Sequence, residues 1–218
     1  MVVSGRRDSA LQALSQENTL IDYIVAHAAK PDDAARTVET VVERWGRLDV
    51  LVNNAESGAI LSLANAGVDQ IRAIFAVNVI GPPLLATAAL RHLKASGGAI
   101  VNVSSTFGHK AAPALSHYAA SKTALEHLTR CWALELAPDG IRVNALAAGP
   151  TDTAFLTERM QLTAEQVEHV KDQERRRIPL GRRGTPEEVA PWIVALAATD
   201  AGWMAGQVIT VDGGLNVT

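Results

Sequence analysis

Tyr118 and Lys122 lie four residues apart. On a helix that spacing sets both side chains on one face. An ammonium beside a phenol favours the phenolate, so Lys122 is expected to lower the Tyr118 pKa from its reference of about 10. A tyrosine tuned in this way trades a proton with an alcohol or a carbonyl near neutral pH. Ser105 precedes Tyr118 by thirteen residues, at the end of an apolar run, and can hydrogen-bond the same oxygen. Other polar residues also follow apolar runs: Asn53 and Asn54, and the turn Gly149-Pro150-Thr151-Asp152-Thr153. In an open parallel sheet, ligands bind beyond the carboxyl ends of the strands. These residues are therefore candidates for a single site.

The elements that must hold them can be read from the pattern of apolar runs. Val2–Val3, Leu20–Ala26, Leu48–Val52, Ala99–Val103, Ile141–Ala145 and Val208–Val211 are apolar without alternation, as in strands buried on both faces. Helical patterns fit between them. Asp32–Trp45 follows Pro31 and ends near Gly46. Gly67–Lys94 holds one long helix or two, with a break expected near Gly81-Pro82-Pro83. His117–Ala137 stops at Pro138-Asp139-Gly140. Thr185–Ala197 opens with Thr185 as N-cap and Pro186 in the first turn. Strand–helix alternation predicts an α/β fold, a doubly wound parallel sheet of Rossmann type, in one domain spanning 1–218. Thr151–Arg183 is polar and mostly helical, a flap over the site.

Composition narrows the function. Twenty basic against 23 acidic residues leave no cationic excess for nucleic acid or a membrane surface. The longest uncharged stretch, Ala73–Leu90, carries Asn78, Gly81, Pro82 and Pro83, a poor membrane span. One cysteine excludes an internal disulfide, and a cytoplasmic protein is expected. His127 and Cys131 share a helix face without a third ligand, so no metal site is expected, and Cys131 reads as a small core residue. Arg175, Arg176 and Arg177 read as a solvated helical face.

Taken in order, these residues resemble a classical short-chain dehydrogenase/reductase over essentially the whole chain. The pieces are Asn53-Asn54-Ala55, Asn78 in Val77-Asn78-Val79-Ile80-Gly81, Ser105, Tyr118-x-x-x-Lys122, and Arg142-Val143-Asn144. The Gly149–Thr153 turn, Gly184-Thr185-Pro186-Glu187-Glu188-Val189-Ala190 and Asp212-Gly213-Gly214 complete the set. The resemblance implies hydride transfer between a nicotinamide and a small-molecule carbonyl or alcohol. It gives Tyr118 as general acid/base and Lys122 as holder of the ribose hydroxyls. Ser105 would orient the substrate oxygen, and Asn78 would anchor a water in a proton relay. Cofactor contacts are expected at Gly5, Arg6, Arg7, Asn54, Ala55, Tyr118, Lys122, Gly149, Thr151 and Thr153. Arg6 and Arg7, with no acid at that strand end, favour NADP over NAD, and Asp8 reads as a helix N-cap. A homo-oligomer, tetramer or dimer, is implied as well.

The sequence also departs from the family pattern. No Thr-Gly-x-x-x-Gly-x-Gly turn is present to meet a pyrophosphate at a helix N-terminus. The family's Asn-Asn-Ala-Gly reads Asn53-Asn54-Ala55-Glu56, and its acidic residue near the adenine is His27. The expectation is of a fold whose first strand–helix unit, roughly thirty residues, is missing at the N-terminus. The neighbours of that central strand must then pair with each other or leave two edges unpaired. These departures fall on the adenosine and phosphate half of the cofactor site. They keep open a second reading, a non-catalytic, cofactor-deficient member serving as a binding or oligomeric scaffold.

Overall fold

The computed structural model describes residues 1–218. Six parallel strands alternate with helices: β1 (Val2–Gly5), α1 (Asp8–Glu17), β2 (Asp22–Val25), α2 (Pro31–Trp45), β3 (Val50–Asn53), α3 (Val68–Phe75) and α4 (Gly81–Ser96). The chain continues through β4 (Ala99–Ser105), α5 (Ser116–Leu136), β5 (Arg142–Ala148), α6 (Phe155–Glu158), α7 (Ala164–Arg177), α8 (Pro186–Ala197) and β6 (Val208–Val211). Asp8 is the first helical residue of α1 and not its cap, which is Arg7. There its carboxylate faces the free N–H groups of the first turn, a place that suits its charge.

The strands form two sheets. One has order β3-β4-β5-β6, and the other is the pair β1-β2. No strand lies between β1 and β3. Of the two arrangements open to such a chain, the structure takes the one with two unpaired edges.

The larger sheet carries the core. Its strands are apolar because both faces are covered. On one face Leu51, Ile100 and Val143 pack against Val38 of α2, Ala86, Ala89 and Leu93 of α4, and Ala133 and Leu136 of α5. On the other, Val101 and Leu146 meet Leu196 of α8. With few aromatics, the small residues Ala86, Ala89 and Ala133 bring helix backbones close to the sheet.

The helical run from Val68 to Ser96 is continuous. No break occurs at Gly81-Pro82-Pro83, because both prolines sit in the first turn of α4, where a missing N–H is tolerated. The irregularity lies just before them, as a π turn over Ala76–Ile80 centred on Asn78. By length and composition alone this run could cross a membrane. In the fold it lies against α2, α5 and the sheet, with Asn78, Ala86, Ala89 and Leu93 buried.

Two of the motifs prove structural. Arg142 places its guanidinium at the C-terminal end of α8 and donates to the carbonyls of Leu196, Ala197, Ala198 and Ala201, at 2.9–3.2 Å. Those of Leu196 and Ala197 are orphan acceptors of the helix end, and those of Ala198 and Ala201 also accept from the Ala201 and Met204 N–H groups. Arg142→Met is therefore expected to cost about 1.5–3 kcal/mol in urea unfolding, the range for hydrogen bonds to a charged group. In the Gly184–Ala190 motif, the Glu188 carboxylate accepts from the Thr185 backbone N–H at 2.9 Å and pairs with Arg182 at 2.6 Å. Those bonds hold its pKa down to about 2.

Candidate active site

Tyr118 stands in the first turn of α5, and Lys122 one turn on; both are buried, at 5% and 1% exposure. Ser105 ends β4 beside them and is 7% exposed. Its hydroxyl accepts from the Phe107 backbone N–H at 3.3 Å and acts to lower the Tyr118 pKa. The Lys122 ammonium donates to the Val103 carbonyl at 3.0 Å, which pins it against β4. Three of the four proposed catalytic side chains thus meet at the carboxyl edge of the sheet.

The fourth, Asn78, acts through a neighbour. Its amide donates to the Ser57 carbonyl at 2.8 Å and to Ser121 Oγ at 2.9 Å, and its Oδ1 accepts from the Ser57 N–H at 2.8 Å. A π turn widens the helix by one residue, which lets Asn78 reach both. Ser121 Oγ in turn donates to the Tyr118 carbonyl at 2.7 Å. Asn78 therefore clamps the loop after β3 onto the start of α5. Ser57 and Ser121 were not singled out from the sequence. Ser121 lies between Tyr118 and Lys122, but nothing in its spacing reveals that Asn78 comes to meet it.

The clamp fixes the residue before Ser57. Glu56 Oε2 lies 3.1 Å from Tyr118 Oη and 3.1 Å from Lys122 Nζ. The phenol donates to the carboxylate, and the ammonium spends its charge on the same oxygen. This reverses the expected effect of Lys122 on Tyr118. Burial, and then the Glu56 charge, push the Tyr118 pKa well above its ordinary value, and Ser105 offsets only part of the rise.

A flap covers the pair. Phe155 of α6 tilts against Tyr118 with ring centroids 6.0 Å apart. At Gly58 a Cβ would fall 2.9 Å from Phe155 Cζ and 3.1 Å from Met160 Cε, so the loop passes closely beneath the side chains of the flap.

The remaining expected cofactor residues divide. Gly5, Arg6, Arg7, Asn54, Ala55 and Thr153 line one cavity of about 1060 Å³ that also reaches Glu56. Arg7 is paired with Glu158 of α6, whereas Arg6 is exposed and forms no ion pair. Gly149 and Thr151 lie outside the cavity lining. A Cβ on Gly149 would fall 2.5 Å from Asp212 Cα, so this glycine serves the contact with the end of β6. Thr151 is bridged to Gly184, and its carbonyl accepts from Arg183 at 2.6 Å. Asn53 also turns out structural: its amide donates to Asn102 Oδ1, and Asn102 donates to Thr129, each at 2.8 Å. Cys131 is exposed on α5 and is no core residue. Arg175 pairs with Asp172 on the solvated side of α7.

This set suits a dinucleotide in part. Lys122, Tyr118 and the free cation Arg6 are donors for hydroxyl and phosphate oxygens. Against it, Glu56 sits on the donors meant for the ribose, and no glycine-rich turn faces the cavity.

Comparison with known proteins places the arrangement. Residues 1–216 match the family model described as enoyl-(acyl carrier protein) reductase. The chain is 39% identical to the 3-oxoacyl-[acyl-carrier-protein] reductase FabG of Thermotoga maritima, over 89% of this chain and 77% of the relative. It is 35% identical to the human dehydrogenase/reductase SDR family member 4, over 98% and 77%. Its fold superimposes on a gluconate 5-dehydrogenase from Burkholderia cenocepacia, solved with NADP and tartrate. That match has a TM-score of 0.88 at 29% identity and covers 100% of this chain and 85% of the other. A Caenorhabditis elegans short-chain dehydrogenase/reductase solved with cofactor gives 0.90 at 30%, covering 100% and 86%. A buried Tyr–Lys pair at the carboxyl edge of a parallel sheet, with matches that run the length of the chain, identifies it as an enzyme of the short-chain dehydrogenase/reductase family.

Proposed function

We propose that the chain is an NADP(H)-preferring oxidoreductase acting between a carbonyl and a secondary alcohol, with Tyr118 as general acid/base. The observation that carries this reading is the convergence of Tyr118, Lys122 and Ser105 beneath one flap. Bound nicotinamide supplies or accepts the hydride. The protein's part is the proton and the orientation. Ser105 donates to the substrate oxygen and holds it beside the phenol. Tyr118, neutral at pH 7, delivers its proton to that oxygen as negative charge develops there. Lys122 and Arg6 are the donors for cofactor oxygens, Lys122 for ribose hydroxyls and Arg6 for the 2′-phosphate. The flap over 151–183 excludes water through Phe155 and Met160, which favours apolar substituents on the substrate. The T. maritima relative's name makes a 3-oxoacyl thioester a sensible member of the substrate panel. Exposed Leu134, Trp192, Val194 and Trp203 support a homo-oligomer, and the single free cysteine suits the cytoplasm.

The cofactor preference has its own test. Fluorescence titration should show tighter binding of NADPH than of NADH. Arg6→Ala should weaken NADPH binding about tenfold, in line with loss of one charge-assisted contact, and leave NADH unchanged. Arg7→Ala should have the smaller effect, because Arg7 is already engaged by Glu158. Equal losses for both nucleotides would remove Arg6 from the 2′-phosphate.

A further inference from the structure

Glu126 has no part in the chemistry described so far, yet it is 3% exposed and stands one helical turn beyond Lys122 on α5. A buried carboxylate persists only where donors and cations meet it. Glu126 draws them from three directions. The Ser104 hydroxyl, in the strand residue next to Ser105, donates to Oε1 at 2.8 Å. His109 Nδ1 lies 3.3 Å from the same oxygen. Arg130, one turn further along α5, stands 3.9 Å from Oε2. An ionised carboxylate only accepts, so His109 carries a proton on Nδ1, and its Nε2 faces Thr210 Oγ1 of β6 at 3.4 Å.

Between Ser105 and His109 runs a single tight turn, Thr106–Gly108. It is folded directly onto the carboxylate: a Cβ on Gly108 would fall 2.4 Å from Glu126 Oε1 and 3.1 Å from Ser104 Oγ. Thr123 donates to the Gly108 carbonyl, and Thr106 donates to Asp212 at 3.0 Å. These contacts hold the turn from outside, but Glu126 alone joins it to the strand residue beside Ser105. Within the turn, the Phe107 N–H donates to Ser105 Oγ at 3.3 Å. That bond sets the polarity of Ser105. A hydroxyl carries one proton, and with a lone pair engaged on the side of the turn its O–H is left to donate towards the site.

We propose that Glu126 is a positioning residue for Ser105. Through Ser104, His109 and the 106–108 turn it keeps the Phe107 N–H on Ser105 Oγ, and so keeps the Ser105 proton directed at the reacting oxygen. The anchoring stands on this geometry, and its kinetic consequence rests on the oxidoreductase reading.

The test uses the full chain with Glu126→Ala, Glu126→Gln and Ser104→Ala, each alone and on a Ser105→Ala background. Exchange of the Phe107 amide is followed by NMR beside the kinetics of ketone reduction. Glu126→Ala should speed that exchange about tenfold, as expected when a local anchor opens. It should lower kcat about tenfold, in keeping with a small displacement of a group that orients the substrate, and leave NADPH binding unchanged. Glu126→Gln keeps an acceptor for Ser104 and His109 and should bring both readouts back near the wild type. On the Ser105→Ala background Glu126→Ala should cost no further kcat, because the residue through which it acts is gone. Where Glu126→Ala does not fold, Ser104→Ala, which removes the strand's arm alone, should move exchange and kcat in the same directions. Unchanged Phe107 exchange in the folded variants would overturn the proposal. A loss of kcat as large on the Ser105→Ala background as on the wild type would also overturn it, since that is the mark of a merely structural role. A Phe107 amide that responds in a chain whose wild type reduces no ketone would sink the oxidoreductase reading and leave the anchoring of Ser105 standing.

Discussion

Tyr118→Phe is expected to lower kcat for carbonyl reduction by about 10²–10⁴-fold, the usual contribution of a positioned proton donor. The phenol is the acidic group placed beside Ser105 at the carboxyl edge of the sheet. Its loss should weaken NADPH binding far less than it lowers kcat, because Lys122 keeps its anchor on the Val103 carbonyl. Far-ultraviolet circular dichroism should match the wild type, since the ring still packs on Phe155. A variant that retained most of its kcat would show that the proton comes from elsewhere.

Replacing Glu56 should have the opposite sign. The carboxylate engages both the phenol and the ammonium at 3.1 Å, and its charge opposes ionisation of Tyr118. In Glu56→Gln the shape is kept and the charge is removed. Burial still holds the Tyr118 pKa up, but one cause of the rise is gone, so the pKa falls. Alcohol oxidation needs the phenolate, and its rate therefore rises with pH through the Tyr118 pKa. The oxidation limb should therefore move to lower pH. Carbonyl reduction uses the neutral phenol and should lose activity at a correspondingly lower pH. Removing an anion beside the donors for the ribose should also tighten NADPH binding, by about tenfold. Unchanged pH profiles in both directions would mean that Glu56 leaves the pair once cofactor enters.

The sequence made the chemistry legible in a particular way. Tyr118 and Lys122 could be read together because helix geometry converts a spacing of four into a shared face. Ser105 followed from the rule that sites gather at the carboxyl ends of parallel strands. Strand order left two arrangements open, direct pairing of Val2–Gly5 with Val50–Asn53 or two unpaired edges, and the structure takes the second. What stayed hidden depends on the path of a loop. Glu56 meets Tyr118 across 62 residues. It does so because Asn78, lifted by a π turn, grips Ser57 from both sides. No local pattern encodes that grip, so the sign of the Tyr118 pKa change was read from Lys122 alone and came out reversed. Cys131 was misplaced for a related reason. The α5 helix is apolar on more than one face, and periodicity does not say which face meets the sheet. Exposed Leu134 on the same helix shows the same ambiguity.

The cofactor half of the site is where residues and family pattern part. Lys122 and Arg6 offer donors, Glu56 competes for one of them, and the space next to β1 and β3 is open.

The most direct measurement follows the hydride itself. The chain would be incubated with NADPH bearing deuterium at nicotinamide C4, as separate 4R and 4S isotopologues, and with a panel of ketones and a 3-oxoacyl thioester. The alcohol products would then be read by mass spectrometry. The account predicts one deuterium on the carbinol carbon from one of the two isotopologues, in wild-type incubations, and its near disappearance with Tyr118→Phe. Unlabelled products throughout, or no product from a folded chain that binds no NADPH, would contradict it.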